Sequence, residues 1–221
     1  MTSVKRVQVI EVFADIWCPF THVGLKLVAG QLRERGRQDV TIRVRSWPLE
    51  WVNGRPMDPN ATLDHVNELR DHVSSEFFVG FDAARFPHST VPVLALVAHA
   101  YAAELQLGQA LSFEVRDWLF ERGLDVSEPD TLAAMARSFG LGTPDPDDYA
   151  TVVSEWKEGR RRHVAGSPHF FCAGTSVFCP SLQISKDPQS GGRTIRTNLR
   201  RLQAFLDRCL STEAPNTTDS S

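Results

Sequence analysis

The chain has 221 residues, 42% hydrophobic and 23% charged, with a net charge of −3 at neutral pH. It is long enough to bury a proper core, as one domain or as a domain carrying an insertion. The near-balance of charge gives neither nucleic acid nor a membrane surface a handle, and no stretch reaches the ~18 apolar residues needed to span a bilayer. The first residues, "MTSVKRVQVIEVFADIWC", lack the apolar core and cleavage site of a secretory signal. A cytoplasmic location with mostly reduced cysteines is therefore expected.

Along the chain, "VQVIEVFAD" (7–15) is short and rich in β-branched residues, as a buried strand is. It runs into "WCPFTHVGLKLVAGQLRERG", where Leu25, Val28 and Leu32 recur at helical spacing and Gly36 ends the helix. "VTIRVRSWPL" (40–49) alternates Val40, Ile42 and Val44 with Thr41, Arg43 and Arg45, a strand with one covered face. The pattern then turns helical: Val66, Leu69, Val73 and Phe77 form one stripe over 62–78. The segment 91–105 is apolar throughout with Pro92 in its first turn, and three more helical periods follow up to about 163. Strand signals return at "SPHFFCAGTSVFCPSLQI" (167–184), read as one hairpin around "AGT". A last helix carries Leu199, Leu202, Leu206 and Cys209 on its seam, and the polar end "STEAPNTTDSS" reads as disordered. The order is β-α-β, helices, β-β-α: an α/β domain interrupted by a helical block.

Cys18-Pro19 stands where the first strand hands over to a helix. Proline suits the first helical position, so the sulfur falls at the helix N-terminus. There unpaired N–H groups and the positive end of the macrodipole favour thiolate, lowering the pKa from ~8.5 to as little as roughly 3.5–7.5. Thr21, three residues on, donates a hydrogen bond as a second thiol would, but has no sulfur with which to resolve a mixed disulfide. Against this, Asp15 would raise the thiol pKa, and a buried cysteine behaves as a small hydrophobe. His22 is either a cation beside the thiolate or a solvated helix residue.

"FADIWCPFTHVG", the intervening helical block and "VAGSPHFF" (164–171) together resemble the DsbA-like family of the thioredoxin superfamily. The similarity is to its cytoplasmic branch, with 2-hydroxychromene-2-carboxylate isomerases and kappa-class glutathione transferases, and it spans about residues 5–210. The resemblance implies an α/β thioredoxin-like fold with a large all-helical insertion. Its first half covers 1–55, the insertion 56–163, the second half 164–210 and a disordered tail 211–221. It further implies that Pro168 is cis and faces Cys18, and that Ser167 offers its backbone to an extended peptide or a small thiol. Cys18 and Thr21 are then the catalytic pair, and Pro19, Phe20, His22, Ser167 and Pro168 bind the thiol or substrate.

The chain departs from the dithiol members at Thr21, so a monothiol reaction with glutathione, mycothiol or a similar low-molecular-weight thiol is expected. No permanently bound cofactor, no metal, no nucleic acid and no membrane is expected, while a homodimer is possible. Two rivals stand beside the oxidoreductase: a thiol-dependent isomerase or transferase, and a non-enzymatic chaperone-like binding module. Three further features bear on the site. Cys172 and Cys179 flank "AGTSVF", where a cross-link is conceivable, but the sequence does not fix their facing and a cytoplasmic setting disfavours it; His163 and His169 lie near them without a common zinc spacing. "GRRRH" (159–163) reads as a solvated helix end, or as an attractor for acidic groups on the ligand. His65 and His72 read as surface residues, and Phe20, Trp47 and Trp51 as groove or core.

Overall fold

The computed structural model describes residues 8–142, 148–186 and 193–211. The expected disordered tail lies outside the described residues, apart from Ser211. Strand β1 (Gln8–Ala14) pairs in parallel with β2 (Val40–Ser46), and on its other side antiparallel with β3 (His169–Cys172), which pairs with β4 (Thr175–Phe178). The sheet order is β2-β1-β3-β4. Helix α1 (Pro19–Glu34) joins β1 to β2 and buries Val23, Leu25, Val28 and Leu32; Arg35 caps it and Gly36 follows at φ 66, where a side chain would be strained.

The helical block holds α2 (Leu49–Asn53), α3 (Pro59–His72), α4 (Val91–Ala103), α5 (Leu105–Phe120), α6 (Pro129–Ser138) and α7 (Ala150–Arg161). Asp58 caps α3 through the Ala61 N–H, and Pro59 fills the first helical position. This helix is shorter than the stripe implied: it stops at His72, leaving Val73 as its cap and Phe77 in the chain beyond.

The block and the sheet form one structure because the helices satisfy the open edge of β2. Tyr101 donates its hydroxyl to Ile42 O (2.8 Å) and accepts the Val44 N–H (3.0 Å). Gln109 Oε1 takes the Ile42 N–H (2.6 Å) and Glu155 Oε2 the Ser46 N–H (2.7 Å). An exposed strand edge invites pairing with another chain, and here side chains from α4, α5 and α7 occupy it. Close packing sets the remaining distances. A Cβ on Gly159 of α7 would lie 2.6 Å from the Trp47 ring, and one on Gly108 of α5 would lie 2.2 Å from that of Tyr101.

The C-terminal part corrects the sequence reading twice. The hairpin ends at Phe178, turning through Ala173 and Gly174, both at positive φ. "LQISK" is instead β5 (Leu182–Lys186), paired antiparallel with β6 (Arg193–Thr197) in a separate two-stranded sheet. In α8 (Leu199–Ser211), Leu202, Phe205, Leu206 and Cys209 are buried, but Leu199 is exposed and does not belong to the seam, because it begins the helix before the chain reaches the core.

Candidate active site

The site follows from the β1–β3 register. Phe13 opposes His169, so continuing each strand by two residues sets Asp15 beside Ser167. Asp15 N–H donates to Ser167 Oγ (2.9 Å), and the Ser167–Pro168 peptide bond is cis. Beyond Asp15 the chain turns into α1 with Cys18 as the N-cap in extended conformation, its carbonyl accepting the N–H groups of Thr21 (3.1 Å) and His22 (3.2 Å). Cys18 Sγ, 4% exposed, donates to Ser167 O at 3.1 Å. Thr21 Oγ1 is 2.9 Å from Ser167 Oγ. Cys18, Thr21, Ser167 and Pro168 are therefore brought together, with Pro19 buried beside them. Phe20 is half-buried, its ring 5.3 Å from that of His65.

The thiol is not poised as a thiolate. Burial pushes its pKa above the ordinary value, and the Asp15 carboxylate adds to that; the Thr21 and Ser167 hydrogen bonds and the Thr21 N–H pull the other way without overcoming it. The helix-terminus expectation of a lowered pKa is thus reversed by desolvation: a charged sulfur with almost no contact with water costs more than the first-turn donors return. The donated bond to Ser167 O agrees, since only the protonated sulfur can make it.

Asp15 does more than bear on the sulfur. It is fully buried, and its side chain accepts the Trp17 N–H (3.2 Å), the Thr90 hydroxyl (2.7 Å) and the Leu49 N–H. Burial raises its pKa from 3.8 to about 6. It thereby ties the end of β1 to the starts of α2 and α4. Arg116 of α5, also buried, donates to Ser112 O (2.6 Å), Ser112 Oγ (2.7 Å) and Asp15 O (3.2 Å). Burial pushes its pKa down to about 10, with the Asp15 carboxylate among the groups that hold it charged. A lone arginine in a helical period gave no sequence signal for this place behind the site.

His22 is neither solvated nor turned toward the sulfur. Its Nε2 lies 2.6 Å from Glu121 Oε1, and its ring packs against Phe78 and Phe120 at 5.3 and 5.1 Å. Burial lowers its pKa, so a neutral ring donates to an ionised Glu121. Four residues past the cap, the side chain falls on the face of α1 turned to α5. His22, Asp117 and Glu121 could together hold a metal ion, but the Lys26 ammonium already sits 2.7 Å from Asp117 and 3.5 Å from Glu121.

Other expectations shift as well. Cys172 and Cys179 are both free, and Cys172 pairs across the hairpin with Thr175. Cys179 lies at the opposite end, its N–H donating to Pro168 O (2.9 Å). Its thiol is pushed up to about 12, chiefly by burial. His163 is exposed at φ 54 and His169 Nδ1 accepts the Ala165 N–H, so neither joins a cysteine. Arg162 of "GRRRH" pairs with Glu11 (2.6 Å), stacks on Phe171, and lines a cavity of about 630 Å³ that includes none of Cys18, Thr21 or Ser167. His65 is half-buried against Phe20 rather than free on the surface. Trp47 is core, and Trp51 packs on Trp156.

No helix among the described residues is long and apolar enough to cross a membrane. No protein-family profile matches the sequence, and no curated protein matches it. Solved structures do. A probable DsbA oxidoreductase from Streptomyces coelicolor is similar at TM-score 0.67 and 18% identity, over 97% of this chain and 94% of that one. The cytosolic disulfide reductase DsbM from Pseudomonas aeruginosa is similar at TM-score 0.56 and 14% identity, over 90% of this chain and 97% of that one. A 2-hydroxychromene-2-carboxylate isomerase is similar at TM-score 0.52 and 15% identity, over 77% of this chain and 88% of that one. At such identities the likeness is one of fold.

Proposed function

Proceeding from a DsbA-like thioredoxin fold, we propose that the chain is a cytoplasmic thiol–disulfide oxidoreductase acting as a monothiol through Cys18. Its partner is an external low-molecular-weight thiol, glutathione or mycothiol. The observation that carries this reading is the Cys18 Sγ–Ser167 O contact of 3.1 Å at the head of α1, with the hydroxyl of Thr21 where a second thiol would stand. A structure of DsbM with GSH, similar at TM-score 0.53, lends support to the choice of thiol.

In the resting protein the Cys18 S–H is occupied by Ser167 O. A peptide or small thiol lying along Ser167-Pro168 takes that carbonyl with its own backbone N–H, as an added strand does. The S–H then loses its acceptor. Burial and the Asp15 carboxylate still favour the thiol, so the Thr21 hydroxyl and the Thr21 N–H act on the charge as it develops, and the Cys18 proton leaves with the thiolate expelled from the disulfide. The Cys18 thiolate attacks one sulfur of a disulfide, forms a mixed disulfide and expels the other sulfur as thiolate. Thr21 offers no sulfur, so the reaction waits for an external thiol to attack the mixed disulfide, which frees Cys18 and carries the partner away as a disulfide. Pro19 and Phe20 border this path. His22 serves it indirectly, by anchoring α1 to α5.

The test is reduction of a model disulfide with glutathione or mycothiol as reductant, alongside titration of the Cys18 thiolate by its absorbance. Activity should vanish in Cys18→Ala, and the free protein should titrate above the ordinary thiol value while still forming a mixed disulfide. A high titration with no mixed disulfide overturns the assignment. Turnover of an unsaturated ketone with no net oxidation would replace it with the isomerase reading.

A further inference from the structure

Two of the three remaining cysteines meet in the core away from Cys18. Val12 faces Phe170 across the β1–β3 ladder, and both are fully buried. Phe170 packs edge-on against Phe205 of α8, ring centroids 6.0 Å apart. Side chains two apart on a strand share a face, so Cys172 points the same way as Phe170. Side chains four apart on a helix stack on one face, so Cys209 stands one turn beyond Phe205. The Gln8 side chain, at the start of β1, donates to Cys209 O, which sets this turn of α8 at the Cys172 end of the β1–β3 ladder; the two side chains are neighbours there, neither is in a disulfide, and they are 7% and 0% exposed.

We propose that Cys172 and Cys209 form a second, oxidisable dithiol, which a low-molecular-weight disulfide converts into a covalent bond between β3 and α8. The two sulfurs differ in access. Cys172 is the more exposed of the two, at the end of its strand beside the turn, whereas Cys209 is wholly enclosed. It is therefore the attacking sulfur. Its thiolate attacks one sulfur of the small disulfide RSSR, forming Cys172–S–SR and expelling RS⁻. The Cys209 sulfur, giving up its proton, attacks the Cys172 sulfur, closes the Cys172–Cys209 bond and expels the second RS⁻. Two protein thiols are oxidised, one RSSR is reduced, and the two thiol protons leave with the two RSH formed.

The bond would fasten the last helix to the strand that follows Ser167-Pro168, placing a redox-controlled clamp four residues behind the site. The Cys172–Cys179 link considered from sequence is not a rival by geometry. Cys172 lies at the turn end of the hairpin and Cys179 at the Pro168 end.

The experiment uses the full chain carrying Cys18→Ser, so that its outcome does not depend on the reaction proposed for Cys18. The protein is exposed under native conditions to glutathione disulfide, then analysed by intact mass, thiol count and non-reducing peptide mapping. The three remaining thiols should fall to one, with loss of two hydrogens and a single cross-linked peptide joining residues 172 and 209. Further substitution of Cys172→Ala or Cys209→Ala should abolish the cross-link, and Cys179→Ala should leave it intact. Should either alanine variant fail to fold, the peptide map of the Cys18→Ser protein decides alone. Persistence of all three thiols, a stable glutathione adduct without ring closure, or a cross-link to Cys179 would each overturn the proposal.

Discussion

Replacing Asp15 by asparagine tests the electrostatics behind the site. The Asp15 carboxyl is raised from 3.8 to about 6 by burial, which outweighs the bonds from Leu49, Thr90 and Trp17. A carboxyl with a folded pKa above its unfolded one binds its proton more tightly in the native state. Its contribution to stability is fully present below about pH 3.8 and is lost as the pH rises through about 6. The difference corresponds to roughly 3 kcal/mol lost between about pH 3.5 and about pH 7. Asparagine removes that titration. It keeps one acceptor for Trp17 and Thr90 but turns an amide N–H₂ toward the Leu49 N–H, at a cost of roughly 1–3 kcal/mol at any pH. The variant should therefore be less stable than the parent near pH 4, and match or exceed it near pH 7. Urea denaturation of both proteins across that range reads the difference, from which Glu11 and Glu121, held low by their partners, cancel. A gap that stays constant with pH refutes the reasoning. The same variant should also titrate Cys18 at lower pH, because the carboxylate pushes that thiol up.

Other perturbations have definite outcomes. Thr21→Val removes a hydrogen bond to the thiolate, which is about 1.5–3 kcal/mol for a charged acceptor. Mixed-disulfide formation at fixed pH should slow by roughly 10-fold or more, with Thr21→Ser restoring it. Gly159→Ala drives a methyl to 2.6 Å from Trp47 and 3.0 Å from Phe13, and should cost roughly 1–3 kcal/mol in thermal unfolding. Arg116→Met removes the side-chain donor from Asp15 O and Ser112 Oγ, and should destabilise by about 3 kcal/mol in urea while raising the Cys18 pKa.

What the sequence yielded and what it withheld have physical causes. The strand before Cys18, the helix after it and the helical block were legible because apolar periodicity is local. The closeness of Cys18 to Ser167-Pro168 came from resemblance, since residues about 150 apart meet only through the β1–β3 register. Spacing alone does not decide a prolyl isomer either. The direction of the Cys18 pKa is not legible in the sequence because burial is a property of the assembled core: the local helix terminus argues for thiolate, and the walls around it argue for thiol. The place of His22 is hidden for a similar reason, as its apolar neighbours Phe78 and Phe120 arrive from distant segments. The β5–β6 pair is not legible in the sequence because "LQISK" is short and largely polar, and its partner begins only at residue 193. Cys209 was read correctly as buried, but its sulfur neighbour on β3 was not visible from a helical seam.

The most direct test of the account is the intact mass of the wild-type chain and of Cys18→Ala after brief exposure to glutathione disulfide and to mycothiol disulfide. One thiol adduct mapping to Cys18, absent from the variant and released by excess free thiol without Cys18 entering an internal disulfide, is the predicted result. Adducts that spare Cys18, or an equal mass gain in the variant, would contradict the claim that this buried sulfur is the working nucleophile.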